Sequence, residues 1–399
     1  MTQHDTAPVV AGVVAALVGF SSSFVVVLAA LVAVGATPDQ AASGVLALCV
    51  VQAVAMLWLA LRHRSPIALA WSTPGAALLL STGTVAGGWP AAVGAFLVTG
   101  ALIVLTGLVP ALGALIGRIP PALARAMLAG VVAPLCLATV TGTAASPLLV
   151  GPVVIAWLVM HRISRRWASP VALAVALVVV LVEAGGSLRA EQLLPVLEVT
   201  APAWSVQALV GLTLPLYVVT MASQNVPGVA VMASHGWTVP WREAMTATGL
   251  GTAVAAPFGG HAVNLAAITA AMTAGPDAGP DRSRRWVAAV SAAITYLVLA
   301  LATPALAALV AAAPGDVIPA AAGLALVGVL AASLSGALAQ DADREAAAVT
   351  FLVAASGVVV LGVGSAFWAL LAGLVVRPLL RPASTAGSHR GRRAQRSVK

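Results

Sequence analysis

The sequence predicts an all-α integral membrane protein of fourteen transmembrane segments, built as a seven-plus-seven inverted repeat, with short extended stretches and half-helices in segments 3 and 10. Three observations carry that prediction. Composition is the first: 61% of residues are apolar, 8% are charged and mean hydropathy is +1.04, which excludes a soluble globular domain. At about 20 residues per span plus short loops, the 399 residues hold a dozen or more spans. The second is the one-sided distribution of basic residues along the chain. The third is a pair of interrupted apolar segments, 68–80 and 257–269, in corresponding parts of the two halves.

Taken in order, Met1 to Ala7 contains no Lys or Arg, and the apolar run after it is too long for a signal peptide. Span 1 covers 8–34 and is interrupted at Phe20-Ser21-Ser22-Ser23-Phe24. Thr37-Pro38-Asp39-Gln40 has the form of a capping box with proline at the first helical position, opening span 2 at 38–61. Span 3 is the broken segment at 67–83. Spans 4 to 7 follow at 89–115, 120–138, 146–160 and 168–184. A polar connection from Gly185 to Trp204 divides the chain. Spans 8 to 14 lie at 205–224, 241–256, 258–274, 285–312, 317–336, 343–361 and 364–380.

The charges test this count. With the N-terminus inside, the loops after the even-numbered spans hold Arg62 and Arg64, Arg118, Arg162, Arg165 and Arg166, Arg242, Arg282, Arg284 and Arg285, and Arg344. Arg125 lies at the cytoplasmic start of span 5, and the tail from Arg377 to Lys399 is basic. Of 20 Lys and Arg residues only Arg189 falls outside, beside Glu183, Glu191 and Glu198. A missed or invented span would invert that bias, so both termini are expected in the cytoplasm. The net charge of +8 thus belongs to topology and not to nucleic-acid binding. Cys49 and Cys136 fall inside apolar segments and read as small core residues.

The halves also match each other in order. Ile119-Pro120-Pro121-Ala122 opens span 5 as Ile318-Pro319-Ala320-Ala321 opens span 12. Pro110 corresponds to Pro304, and Ser21-Ser22-Ser23 to Ser223-Gln224-Asn225. Because seven is odd, the second half enters from the opposite side. In the first broken segment, Pro74 favours a helix start with Thr73 as its N-cap, after an extended piece at 68–72. In the second, Gly259 and Gly260 loosen the backbone, Asn264 is the expected cap, and Leu265-Ala266-Ala267-Ile268 resembles Gly75-Ala76-Ala77-Leu78. Irregular backbone at membrane depth is tolerated where it lines a cavity or is buried in protein. A half-helix N-terminus there presents a positive dipole end and backbone N–H groups, which suits an anion. An anion is therefore expected between Thr73–Gly75 and Asn264–Ala266.

Three motifs carry a resemblance to a known family: Ala70-Trp71-Ser72-Thr73-Pro74-Gly75-Ala76-Ala77-Leu78-Leu79, Met221-Ala222-Ser223-Gln224-Asn225-Val226-Pro227-Gly228, and Ala256-Pro257-Phe258-Gly259-Gly260-His261-Ala262-Val263-Asn264-Leu265-Ala266-Ala267-Ile268-Thr269. Over essentially the whole chain the sequence resembles the benzoate:proton symporters of bacterial inner membranes, and more distantly the nucleobase and sulfate permeases. The resemblance implies a core domain of spans 1–4 and 8–11 (1–115 and 204–312) and a gate domain of spans 5–7 and 12–14 (116–184 and 313–381). A periplasmic connection (185–203) and a basic cytoplasmic tail (382–399) complete the chain. It implies import of benzoate or a related aromatic carboxylate with protons, by alternating access. An anion exchanger or channel of the sulfate-permease type is the alternative.

The candidate substrate-binding residues are Ser72, Thr73, Gly75, Gln224, Asn225, Gly260, His261, Asn264 and Ala266. Thr73 and Asn264 serve as caps in either reading. Gln224 and Asn225 are costly against lipid, so they face the interior, as substrate contacts or as interhelical hydrogen bonds. The serines of span 1 can satisfy their hydroxyls on the preceding turn. Phe20, Phe24, Trp71, Tyr217 and Phe258 are candidate walls for an aromatic substrate, against the plainer reading of membrane core. His261 is the candidate proton carrier, against a neutral imidazole bonded to a backbone carbonyl. Spans 8 and 10 contain no Asp or Glu, unlike the nucleobase permeases, which fits an anionic substrate that can bring its own proton. Metal-ligand spacing, a phosphate loop and paired intramembrane acids are missing, so neither an enzyme nor a cofactor is expected. The expected partners are the substrate, protons and membrane lipid, and the sequence leaves a homodimer open.

Overall fold

The computed structural model describes residues 3–184, 194–195 and 197–380. The tail 382–399, Arg381 and part of the 185–203 connection, with Arg189 and Glu191, lie outside the described residues. The described chain is almost entirely helical, and eight of its helices are long and apolar enough to cross a membrane.

All fourteen expected segments appear in order. Span 1 is α1 (Gln3–Ser21) and α2 (Phe24–Ala33), parted at Ser22 and Ser23 as the serine run predicts. Span 2 is α3 (Pro38–His63), whose capping box forms: Gln40 N–H donates to Thr37 Oγ1 at 3.2 Å, and Thr37 N–H to Gln40 Oε1 at 3.0 Å. Span 3 is β1 (Leu69–Trp71) and α4 (Thr73–Thr82). There follow α5 (Gly88–Leu108), α6 (Pro110–Gly117), α7 (Pro121–Ala145), α8 (Pro147–Ile163) and α9 (Arg165–Ala184).

Span 8 differs from expectation. It continues to Ser234 as one long helix, in which α10 (Val206–Ala208), α11 (Leu214–Thr220) and α12 (Val226–Ser234) are joined by π-helical Leu209–Thr213 and Met221–Asn225. Next come α13 (Trp241–Ala255), β2 (Val263–Leu265), α14 (Ile268–Ala274), α15 (Trp286–Ala311) and α16 (Val317–Ala337). Span 13 is shorter than expected: α17 (Arg344–Ala355) stops before a turn that holds Gly357, Leu361 and Gly362 at positive φ, and α18 (Ser365–Leu380) follows.

Helix pairs from opposite halves pack along one another. In one set α15 lies on α3 and on α1, and α13 lies on α5; in another α16 and α17 lie on α7, while α18 packs on α17 of its own half. Small residues make this possible where lipid supplies no hydrophobic drive for association. A Cβ placed on Gly100 of α5 would sit 2.8 Å from the Gly249 carbonyl oxygen of α13, and one on Gly249 would sit 2.7 Å from that of Gly100. Asp343, 2% exposed, takes a two-pronged contact from Arg377 at 2.8 and 3.0 Å, tying α18 to the start of α17.

Candidate functional site

The two breaks meet. β1 and β2 pair antiparallel, with Leu69 opposite Leu265, Ala70 opposite Asn264 and Trp71 opposite Val263. Flanking bonds from Ser72 N–H to Ala262 O (2.9 Å) and from Ala266 N–H to Ala68 O (3.0 Å) extend the ladder. The outward N–H groups of β2 would be stranded in a water-free interior, and side chains from neighbouring helices take them. Val263 N–H donates to Thr252 Oγ1 at 2.9 Å, and Leu265 N–H to Asn225 Oδ1 at 2.8 Å. Asn225 also donates to Met221 Sδ at 3.1 Å, across the π-helical turn that re-aims this stretch of span 8.

Both expected caps are corrected. Ser72, not Thr73, caps α4: its Oγ accepts from Gly75 N–H at 3.1 Å, with Thr73 as the first helical residue and Pro74 as the second. Proline is tolerated throughout the first turn because its missing N–H is unneeded there, so the start moves back by one residue. Asn264 caps nothing. It is held in β2 by pairing with Ala70, and α14 starts only at Ile268. Its carboxamide is satisfied when the oxygen faces Ser72 N–H (3.1 Å) and the nitrogen faces Leu265 O (2.9 Å).

Ser72 is the hub of the site. Its carbonyl accepts from His261 Nε2 at 2.9 Å and from Ala76 N–H at 2.8 Å, and its hydroxyl lies 3.0 Å from Thr220 Oγ1. His261 is fully buried, with its ring edge-on to Phe96 at 6.5 Å and its Nδ1 without a hydrogen-bond partner among the described residues. The N–H groups of Gly75, Leu265 and Ala266 are thus already bonded within the protein. A ligand here would meet the dipole end of α4 and the surrounding side chains. Gly260 is packed against α3, with Leu48 Cδ2 3.2 Å from where its Cβ would be. Gln224 is half-buried on the π-helical turn, and its neighbour Ser223 has a buried hydroxyl without a partner among the described residues.

Three of the five aromatic candidates come together. Phe20 stacks on Phe24 at 5.0 Å and tilts against Trp71 at 5.5 Å. Trp71 Nε1 donates to Ser23 Oγ at 2.8 Å, fixing the indole plane, while Ser23 Oγ donates to Gly19 O at 3.0 Å. The other two stand apart. Tyr217 turns its hydroxyl to Thr106 on α5, and Phe258 sits in the turn between α13 and β2 with its carbonyl accepting from Ser43 Oγ at 2.9 Å. In their place Tyr296 of α15 meets the Trp71 ring edge-on at 6.2 Å. Sequence reasoning missed Tyr296, Thr220, Thr252 and Phe96. One signal was present for Tyr296: the chain has only 2 tyrosines, both inside spans. Buried aromatic rings beside a helix N-terminus set an apolar wall next to a positive dipole end.

This fold, with two interrupted segments paired with each other, is that of a multi-pass membrane protein. Solved structures share it. The transmembrane domain of a cyanobacterial bicarbonate transporter, BicA, aligns with TM-score 0.59 at 16% identity over 94% of this chain and 98% of that one. SLC26A9 aligns with TM-score 0.59 at 13% identity over 94% of this chain and 65% of that one. More specifically, the chain belongs to the BenE family, described as Benzoate membrane transport protein, which it matches over residues 2–379. Inner membrane protein YdcO of Escherichia coli K12 is 39% identical over 91% of this chain and 93% of its own length. The benzoate membrane transport protein of Acinetobacter baylyi is 28% identical over 92% and 93%.

Proposed function

We propose that this protein imports benzoate or a closely related aromatic carboxylate across a bacterial inner membrane together with protons, with both of its termini in the cytoplasm. One observation carries the reading: the buried ring cluster of Phe20, Phe24 and Trp71 lies against the strand that leads into the N-terminus of α4. The rings suit the apolar face of the substrate, and the dipole end suits its carboxylate. Ser72, Gln224, Asn225 and His261 line or brace that point, with Thr73, Gly75, Gly260, Asn264 and Ala266 shaping the backbone around it. We assign spans 1–4 and 8–11 to a core that carries the substrate and spans 5–7 and 12–14 to a gate against which it moves. The proton travels on His261 or on the substrate carboxyl itself.

A second reading, an exchanger or channel for a small inorganic anion, is favoured by the fold shared with the bicarbonate transporter and SLC26A9. Uptake of radiolabelled benzoate into proteoliposomes, with and without an inward proton gradient, separates them. Gradient-driven accumulation supports the symporter. Flux of bicarbonate or chloride without benzoate uptake supports the alternative.

A further inference from the structure

The bonding at the two breaks poses a question of donors. Gly75, Leu265 and Ala266 spend their N–H groups inside the protein, and the hydroxyls of Ser22 and Ser23 donate to the Gly19 carbonyl. A carboxylate bound here needs a hydrogen-bond donor that none of these supplies. We propose that the Tyr296 hydroxyl is that donor and that Tyr296 is a substrate-binding residue, a step that rests on reading the site as a pocket for an anion beside the rings.

Tyr296 is 2% exposed, on α15, with its ring edge-on to Trp71. Its hydroxyl reaches the place where the end of α1 meets the first turn of α14. A Cβ placed on Gly19 would lie 2.6 Å from that oxygen and 3.1 Å from Thr269 Cγ2. Glycine at position 19 therefore keeps open the space into which the hydroxyl projects; even alanine would close it. Among the described residues the hydroxyl makes no hydrogen bond, and unlike His261 Nδ1 and Ser223 Oγ it is not sealed from all accessible space. An unfilled donor beside a ring cluster and a half-helix is what a carboxylate oxygen would complete. The ring of Tyr296 serves the apolar wall, and its oxygen serves the charge.

The test is equilibrium binding of benzoate to the full-length protein in lipid nanodiscs, for wild type, Tyr296→Phe and Gly19→Ala. Tyr296→Phe keeps the contact with Trp71 and removes only the oxygen. It should weaken binding by about tenfold or more, the loss expected for one hydrogen bond to a charged group, while the ligand-free melting temperature stays near that of wild type. Gly19→Ala puts a methyl group against the hydroxyl and should weaken binding in the same direction. Wild-type affinity in Tyr296→Phe overturns the proposal. If the wild type binds bicarbonate or chloride and not benzoate, the aromatic-carboxylate reading fails. The same comparison then runs on that anion: a matching loss supports the Tyr296 donor, and unchanged affinity overturns it.

Discussion

Replacing Ser72 by alanine removes one oxygen and leaves the surrounding backbone bonds in place. The Ser72 carbonyl still accepts from His261 and Ala76, and its N–H still donates to Ala262. What disappears is the acceptor for Gly75 N–H at 3.1 Å and the partner of the Thr220 hydroxyl at 3.0 Å. Loss of a serine N-cap costs about 1 kcal/mol. A buried hydroxyl left unpaired adds about 1–3 kcal/mol, toward the lower end because Thr220 sits on a helix and can turn to a carbonyl one turn back. Ser72→Ala should therefore be less stable by about 2–3 kcal/mol. Reversible unfolding in mixed detergent micelles, followed by circular dichroism, measures this for Ser72→Ala, Thr220→Val and the double variant. Because the two side chains share a bond, the double variant should be less destabilised than the sum of the singles by about 0.5–1.5 kcal/mol. Strict additivity, or a Ser72→Ala loss below about 0.5 kcal/mol, would refute the hub assignment.

Asn225→Leu strands the Leu265 N–H where no water can replace the lost acceptor, and should cost about 1–3 kcal/mol in the same unfolding assay; unchanged stability would mean that β2 does not depend on span 8. His261→Gln still donates to the Ser72 carbonyl but cannot titrate near neutral pH. If His261 carries the coupled proton, exchange of labelled for unlabelled substrate persists while gradient-driven accumulation is lost, and accumulation at the wild-type level removes it from that role. A reporter fused after Lys399 should be cytoplasmic and one inserted in the 185–203 connection periplasmic; both on one side would break the fourteen-span topology.

Much of the architecture was legible because membrane insertion writes it into composition. Apolar runs mark spans, and proline or glycine inside a span marks a break. What escaped was decided by partners distant in sequence. Asn264 looks like a cap until Ala70 is seen opposite it, since pairing holds the residue extended and delays α14 to Ile268. Ser72 and Thr73 are equally good caps by residue type, and only the backbone of β1 chooses between them. Tyr217 and Tyr296 are alike on paper, yet packing sends one hydroxyl to Thr106 and the other ring to Trp71. The π-helical turn at Met221–Asn225 has no local sequence mark; it carries Asn225, whose Oδ1 takes the Leu265 N–H.

The central claim is that an aromatic carboxylate sits among Phe20, Trp71 and Tyr296 with its charge at the start of α4. A structure of the full-length protein with bromobenzoate, the halogen located by anomalous scattering or density, tests it most directly. The account predicts a single strong halogen peak against the Trp71 ring, with the carboxylate turned toward Ser72 and α4. A halogen found instead in the apolar groove between α3 and α13, lined by Val51, Trp58 and Leu250, with Trp71 and Tyr296 unoccupied, would contradict it.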